Sequence, residues 1–437
     1  MAQVTRTRKR ASWQQHLIYA WWAVILTSGH WLLAGWGLAP AAKLPSALLG
    51  ASILAVAMTR IPTQLALPMG AWVGASALST FFAVNRIYAF AYFKPVLFLY
   101  LLVVCTIALV RSAQHTIPLL RVLFIGQFLW VGAFGVRRGL VAWHPDLANA
   151  DGFGPIMVIG LGMAFFYGMA VRGRRERLLS FAIAVLCLAG VVSSFARGAV
   201  LSLVAVVVYI WWEMPNKKRS TVALLVGGLV VMIAASFLSS AQRGGNTSSP
   251  VGFWAEMLTI GDEGDGTTSD RKILWGAATR VFFVDPVIGA GPANFGVVAS
   301  TLFAPGEIGG EYALNPMRLY DRALHSSYLQ ILSEQGILGS VVFLWMLFDF
   351  VWRNRRLRNR SVREAWAREG PAMPDLRYLA LGLEAGLLGF LTTALFYNQL
   401  YVHWIYTIIG GNLLLWTIAT RVERQWSGVG GRATMRA

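Results

Sequence analysis

Between Arg318 and Gly339 the sequence reads RLYDRALHSSYLQILSEQGILG, a charged and polar run that turns into an apolar segment. At its centre stands His325, whose imidazole can take a proton near neutral pH without help from its surroundings. Arg322, Ser326, Ser327, Tyr328, Gln330 and Glu334 supply further donors and acceptors, and no charge then follows from Gln335 until Asp349. On helical spacing His325 shares a face with Tyr328 and Leu329, while Ser327, Gln330, Ile331 and Glu334 share another. A glutamate inside a membrane helix is expensive unless paired. Glu334 is therefore expected to lock the helix, with Arg322 or a loop arginine as its partner.

Two arginines elsewhere have matching chemistry. Arg197, in SSFARGAVLSL, sits in a break between two apolar spans; alone, it would ordinarily be a snorkelling anchor. Arg271, in DRKILW, opens a helix where it opposes the helix dipole, which suits a cation that meets an anion beside free backbone N–H groups. A surface pair with Asp270 is the ordinary alternative, as a satisfied interface histidine is for His325. Taken together, two guanidinium groups offer bidentate donors for phosphate oxygens, and a histidine offers a base. The set suits transfer from a membrane-anchored phosphate donor. A diphosphate leaves readily once its charge is neutralised, so the missing part is a base for an acceptor hydroxyl, which His325 would supply.

The elements that must hold these groups are membrane helices. The 437 residues are 56% hydrophobic and 13% charged, outside the range of soluble domains. At roughly 20 apolar residues per crossing, about twelve spans can be drawn. They fall at 17–38, 44–59, 65–84, 88–110, 117–135, 153–171, 178–195, 198–213, 221–238, 325–351, 377–397 and 402–420, with both termini inside. The expected fold class is thus an all-α polytopic membrane protein with an N-terminal bundle at 1–238, one large outer loop at 239–324 and C-terminal helices at 325–437. Arg60, Arg111, the run RGRRER at 172–177, Lys217–Lys218–Arg219 and seven arginines from Arg353 to Arg368 fall inside. The outer loop carries six basic and nine acidic residues, so the basic bias lies on the inner side.

Several classes are disfavoured on the same grounds. The formal charge of +18 is dispersed over short loops, which reads as orientation in a membrane and not as a nucleic-acid surface. Cys105 and Cys187 lie in apolar segments as small core residues, implying neither disulfide nor metal. The basic start, Arg6 to Arg10, lacks a small-residue cleavage site and reads as an uncleaved inner terminus. GDEGDGTTSD at 261–270 reads as a solvated turn; a calcium site would need the later glutamate it lacks. Residues 271–295 begin with Leu274, Ala277, Ala278 and Phe282 at helical spacing, an amphipathic helix near the outer interface, and end in a glycine-rich turn without dinucleotide spacing. A transporter of lipid-linked sugars would need ionisable residues along several spans. Only Lys94, Arg121 and Glu384 stand out, and no repeat is evident.

Four motifs in this order, S-x-A-R-G-A (Ser194 to Ala199), R-x-x-x-W (Arg271 to Trp275), P-x-x-G-x-G-x-x-N-F (Pro286 to Phe295) and H-S-x-x-L-Q-x-L-x-E-x-G-x-x-G (His325 to Gly339), resemble the O-antigen ligase/polymerase superfamily of bacterial envelope glycosyltransferases over about residues 190–345. The resemblance implies a GT-C-type fold, no nucleotide sugar, no cofactor and no required metal. It implies a glycan donor on undecaprenyl diphosphate at the periplasmic face of the inner membrane, among membrane lipids. Ligases hand the glycan to lipid A-core; relatives polymerise O-antigen or glycosylate protein hydroxyls. Carried over by motif, Arg197 and Arg271 would bind the diphosphate and His325 would activate the acceptor hydroxyl for inverting displacement. Arg137, Arg138 and Arg322 are further candidates for substrate phosphates, against ordinary loop charge, and Glu334 and Trp275 are candidates for structural support. Tyr397, Asn398 and Gln399 could line the cavity.

Overall fold

A computed structural model describes residues 13–26, 67–129, 131, 150–194, 196–218, 221–222 and 266–434. In chain order the helices are α1 (Trp13–Leu26), α2 (Leu67–Phe82), α3 (Arg86–Leu109), α4 (Ala113–Arg121), α5 (Ala150–Ala170), α6 (Arg174–Ser193), α7 (Arg197–Glu213), α8 (Gly266–Val284), α9 (Phe295–Leu302), α10 (Ser327–Leu357), α11 (Arg360–Ala367), α12 (Leu376–Thr393) and α13 (His403–Thr434). Among the described residues there is no strand. Among the described residues five helices, α3, α5, α6, α10 and α13, are long and apolar enough to cross a membrane. Where the sequence-drawn spans fall on described residues they run largely along helices; 27–38, 44–59, 132–135 and all but the start of 221–238 lie outside those residues.

α5 is the hub, with nearly all of its apolar stretch buried inside the bundle. It packs against α12 through small residues: Gly162 meets Ala385 with no room for a β-carbon, and Gly389 meets the Ile159 backbone, where a β-carbon would be a tight fit at 3.2 Å. Close approach through small residues replaces the hydrophobic drive that lipid cannot provide between helices. Two asparagines inside the bundle link three of its helices. Asn412 donates to Asn354 Oδ1 (2.8 Å), and Asn354 donates to the Ala380 carbonyl (2.8 Å), tying α13, α10 and α12 together.

The loops sort into two ends. At the arginine-rich end, Arg358 pairs with Glu384 (2.9 Å) and approaches Glu213 (3.8 Å), and Asp375 N–H donates to the Ala170 carbonyl (2.9 Å). Arg121, read from sequence as a charge inside a span, pairs there with Glu176 (2.8 Å). At the other end lie the α2–α3 turn, the α6–α7 break, the start of α10 and the 394–402 segment. Helix starts at both ends are capped as their sequences direct. Asn85 accepts from Tyr88 N–H (3.0 Å) and Asp375 from Arg377 N–H (2.9 Å).

Between α8 and α10 the chain builds a second, smaller core. Leu274, Ala277, Ala278 and Val281 of α8 bury against Phe295, Ala299, Phe303, Tyr312 and Leu319. The apolar face of α8 thus covers the loop's own interior, where the sequence had suggested a membrane interface. Val281, one position before the expected Phe282, completes that face. Lipid-facing character appears instead at the helix end, where Phe283, Val284 and Val287 are exposed beside Ile337 and Val341 of α10.

α10 is broken at Gly336, which has φ 62 and ψ −163. The break releases helix bonds that the glycine-rich turn takes up. Ala290 and Gly291 N–H groups donate to the carbonyls of Ser333 and Glu334 (both 2.9 Å), and Ile337 and Leu338 N–H groups donate to those of Pro286 and Val287 (2.8 and 3.0 Å). The backbones lie so close that a β-carbon on Gly336 would stand 2.4 Å from the Val287 carbonyl oxygen. That combination of φ and ψ is essentially confined to glycine. Gly336→Ala should therefore cost about 3 kcal/mol or more and separate turn from helix; a thermal midpoint in detergent equal to that of the wild type would refute this.

Candidate active site

One segment, residues 394–402, joins two helix starts. Ser327 donates its N–H to the Ala394 carbonyl (2.8 Å) and its hydroxyl to the Tyr397 carbonyl (2.7 Å), while Ser326 N–H reaches Asn398 Oδ1 (3.2 Å). From its other side the Tyr397 hydroxyl accepts the Ala199 N–H (3.2 Å), two residues beyond Arg197. Arg197 is the first residue of α7 and is half-buried. The expected lining trio separates here: Asn398 lies in a cavity wall, whereas Tyr397 and Gln399 are buried fasteners beyond the end of α12.

His325 is not on the helix. α10 begins at Ser327 with Ser326 as its cap, so the face expected with Tyr328 and Leu329 does not form. The histidine is half-buried, with a left-handed backbone at φ 52. Such a conformation is uncommon for a residue with a β-carbon and persists where its surroundings impose it. Both flanks are fastened, since Ser326 is held by Asn398 and the Leu324 carbonyl accepts Trp275 Nε1–H (3.1 Å).

The same tryptophan locates Arg271, one turn earlier on α8. That helix begins at Gly266, which sets Arg271 beyond the first turn. The sequence argument from free N–H groups at a helix start therefore does not apply to it. Hydrogen bonds now run without interruption from the α8 turn bearing Arg271, through Leu324 and the His325 segment, across 394–399, to the α7 start bearing Arg197.

Glu334 and Arg322 do not pair. Arg322 binds Glu311 of the same loop and lies over the Tyr312 ring (5.7 Å). Glu334, 3% exposed, accepts the Ala293 N–H (2.9 Å) and the Tyr401 hydroxyl (2.7 Å), and its carbonyl accepts from Ser79 (2.8 Å). A buried carboxyl can be held by neutral donors as well as by a cation. Burial, reinforced by the neighbouring Glu334, pushes the Tyr401 hydroxyl well above the usual phenol range, so it stays a donor. Both Arg322 and Glu334 do reach a common cavity of about 280 Å³ between the start of α3, the 320–323 loop, α10 and the 394–402 segment. Arg197, Arg271 and His325 stand outside its wall.

Some fastenings had no sequence signal. Asn294, fully buried, accepts the Asn85 N–H (2.8 Å) across 209 residues and donates to the carbonyls of Pro292 (2.9 Å) and Asn85 (3.3 Å). It lies in the quoted P-x-x-G-x-G-x-x-N-F motif, but nothing marked Asn85 as its partner. Arg137, Arg138 and the first half of the 261–270 turn fall outside the described residues, while its second half forms the start of α8. Among those described, no group of three His, Cys, Asp or Glu side chains is placed to hold a metal ion.

Residues 182–344 match a family model described as O-antigen ligase. All four motifs quoted above lie inside that stretch, so over it the expected resemblance to the O-antigen ligase/polymerase superfamily is borne out. No curated protein matches the chain.

Trp275→Phe removes a single donor from the Leu324 carbonyl and should cost about 1 kcal/mol. Hydrogen exchange would show its site, as faster exchange of the amides at 322–326 with the bundle helices unchanged; uniform exchange across the chain would contradict the role given to this bond.

Proposed function

We propose, taking the O-antigen ligase/polymerase-type stretch as premise, that the protein is a glycosyltransferase that moves a glycan from undecaprenyl diphosphate to a hydroxyl of lipid A-core oligosaccharide. One observation carries the reading beyond the family match. The segments bearing Arg197, Arg271 and His325, far apart in sequence, are fastened to one another at a single end of the bundle by Trp275, Ser326, Ser327 and Tyr397.

The chemistry follows from the residue types. Arg197 and Arg271 hold the diphosphate oxygens with paired N–H groups, which neutralises the charge that builds as the leaving group departs. His325 accepts the proton of the acceptor hydroxyl. The acceptor oxygen forms its bond to the anomeric carbon on the face opposite the diphosphate, and the carbon–oxygen bond to phosphate breaks with its electrons passing to the phosphate oxygen. The anomeric configuration inverts, and the proton remains on the imidazole until released. In this reading the site end of the bundle faces the periplasm, the arginine-rich end faces the cytoplasm, and the protein resides in the inner membrane.

Transfer is tested with purified full-length protein, undecaprenyl-diphosphate glycan and lipid A-core. The wild type should attach glycan to lipid A-core. His325→Ala should lower kcat by about 10²- to 10⁴-fold, the usual yield of a general base, with donor binding retained. Arg271→Ala and Arg197→Ala should each weaken donor binding by about 10- to 100-fold, the loss of a charged hydrogen-bonding group. Full turnover by His325→Ala would remove the base from the scheme. Longer lipid-linked polymer in place of modified lipid A-core would make the protein a polymerase.

A further inference from the structure

The cavity beside His325 is not built for phosphate. Its ionisable wall residues are Arg322, already bound to Glu311, and two acids, Asp321 and Glu334. A diphosphate entering it would meet more acidic than basic groups. The rest of the wall joins aromatic rings to amides. Tyr88 and Tyr92 come from the first turns of α3, with hydroxyls 3.4 Å apart, and Tyr92 packs edge-on against Tyr401. Gln330 and Asn398 add amide groups.

One atom in that wall is unsatisfied. Gln330 is 5% exposed, and its Oε1 has no hydrogen-bond partner among the described residues. The Glu334 side chain, one turn further on, can only accept or share its own donors, and the Gln330 oxygen is left as an acceptor without a donor. A buried acceptor without a donor is costly and calls for an explanation. A ligand hydroxyl would supply the donor.

We propose that this cavity binds one sugar ring of a transferase substrate, with Gln330 Oε1 accepting a ring hydroxyl and Tyr92 covering an apolar face of the ring. The inference rests on the glycosyl-transfer reading for which substrate the ring belongs to. A volume of about 280 Å³ sits at the small end of ligand pockets and suits a single ring better than a whole oligosaccharide. Tyrosines offer C–H faces a platform and hydroxyls a partner, and amides and acids bind hydroxyls without demanding charge. Location supports the assignment, because the wall includes Ala323, two residues before His325, and Asn398, which fastens Ser326. A ring held there lies beside the residue assigned to deprotonate an acceptor hydroxyl.

The test uses full-length protein in nanodiscs and three probes titrated separately: delipidated core oligosaccharide, the glycan released from the donor, and inorganic pyrophosphate. Gln330→Met keeps the length of the side chain and removes the acceptor; Tyr92→Ala removes an exposed ring, and Tyr92→Phe retains it. Gln330→Met and Tyr92→Ala should each weaken one of the two glycans by about tenfold and leave pyrophosphate unchanged, with Tyr92→Phe close to wild type. Weakened core oligosaccharide identifies the ring as the acceptor's, and weakened released glycan identifies it as the donor's. Wild-type affinity of both variants for both glycans, at an unchanged thermal midpoint, overturns the proposal, as does a loss confined to pyrophosphate. Glycan binding by a wild type that transfers nothing would sink the transfer reading and leave the sugar site standing. Transfer by cavity variants with wild-type KM for both substrates would do the reverse.

Discussion

The structure depends on an exchange of backbone hydrogen bonds. Where α10 breaks at Gly336, the groups it exposes are taken by the turn at 286–291, two bonds in each direction. Inside a bilayer an unpaired peptide group costs several kcal/mol, so a helix can be interrupted only where protein supplies the partners. Two consequences reach the site. The first turns of α10 are set apart from the rest of the helix, and the loop at 286–291 is fixed to them by main-chain bonds, which depend on no side-chain donor or acceptor. Glu334 extends the arrangement through its carboxylate, which holds the turn again at Ala293 N–H.

Fastening differs in kind between the two ends of the molecule. At the arginine-rich end ion pairs, Arg358 with Glu384 and Arg121 with Glu176, join the backbone bond from Asp375 to Ala170, and such pairs screen with salt and tolerate small shifts. At the site end the links between elements include hydrogen bonds to backbone groups, from Ser327, Trp275 and Tyr397, whose directions are restrictive. Catalytic geometry must be held to fractions of an ångström, and directional bonds achieve this where screened charges do not.

Much of this was legible in the sequence, for reasons that also set the limit. Long apolar runs can only be membrane helices, so their positions followed from hydropathy, and the clustering of arginines between Arg353 and Arg368 separated the two ends. His325 stood out by residue type. Its place off the helix was signalled by Ser326, a good cap directly ahead of an apolar run, but helical periodicity outweighed that signal. The partner of Glu334 was misjudged because a charge rule favours arginine, whereas the fold supplies a backbone N–H and a tyrosine 67 residues away. The Gly336 break was hidden, since a lone glycine in an apolar run is compatible with an unbroken helix. Only the turn that docks there distinguishes the two, and pairing between distant backbones leaves no pattern in composition.

The break also bears on biogenesis. The segment that satisfies Gly336's neighbours is synthesised about fifty residues before them. As α10 leaves the insertion machinery, it must either pass through as a continuous helix and then open, or meet the docked turn at the moment it enters lipid. Its maturation is thus a folding event at the bilayer and more than partitioning of a greasy segment. A loop made earlier acts as the template for a helix not yet made, and errors in that loop would surface as misassembly of a helix whose own sequence is intact.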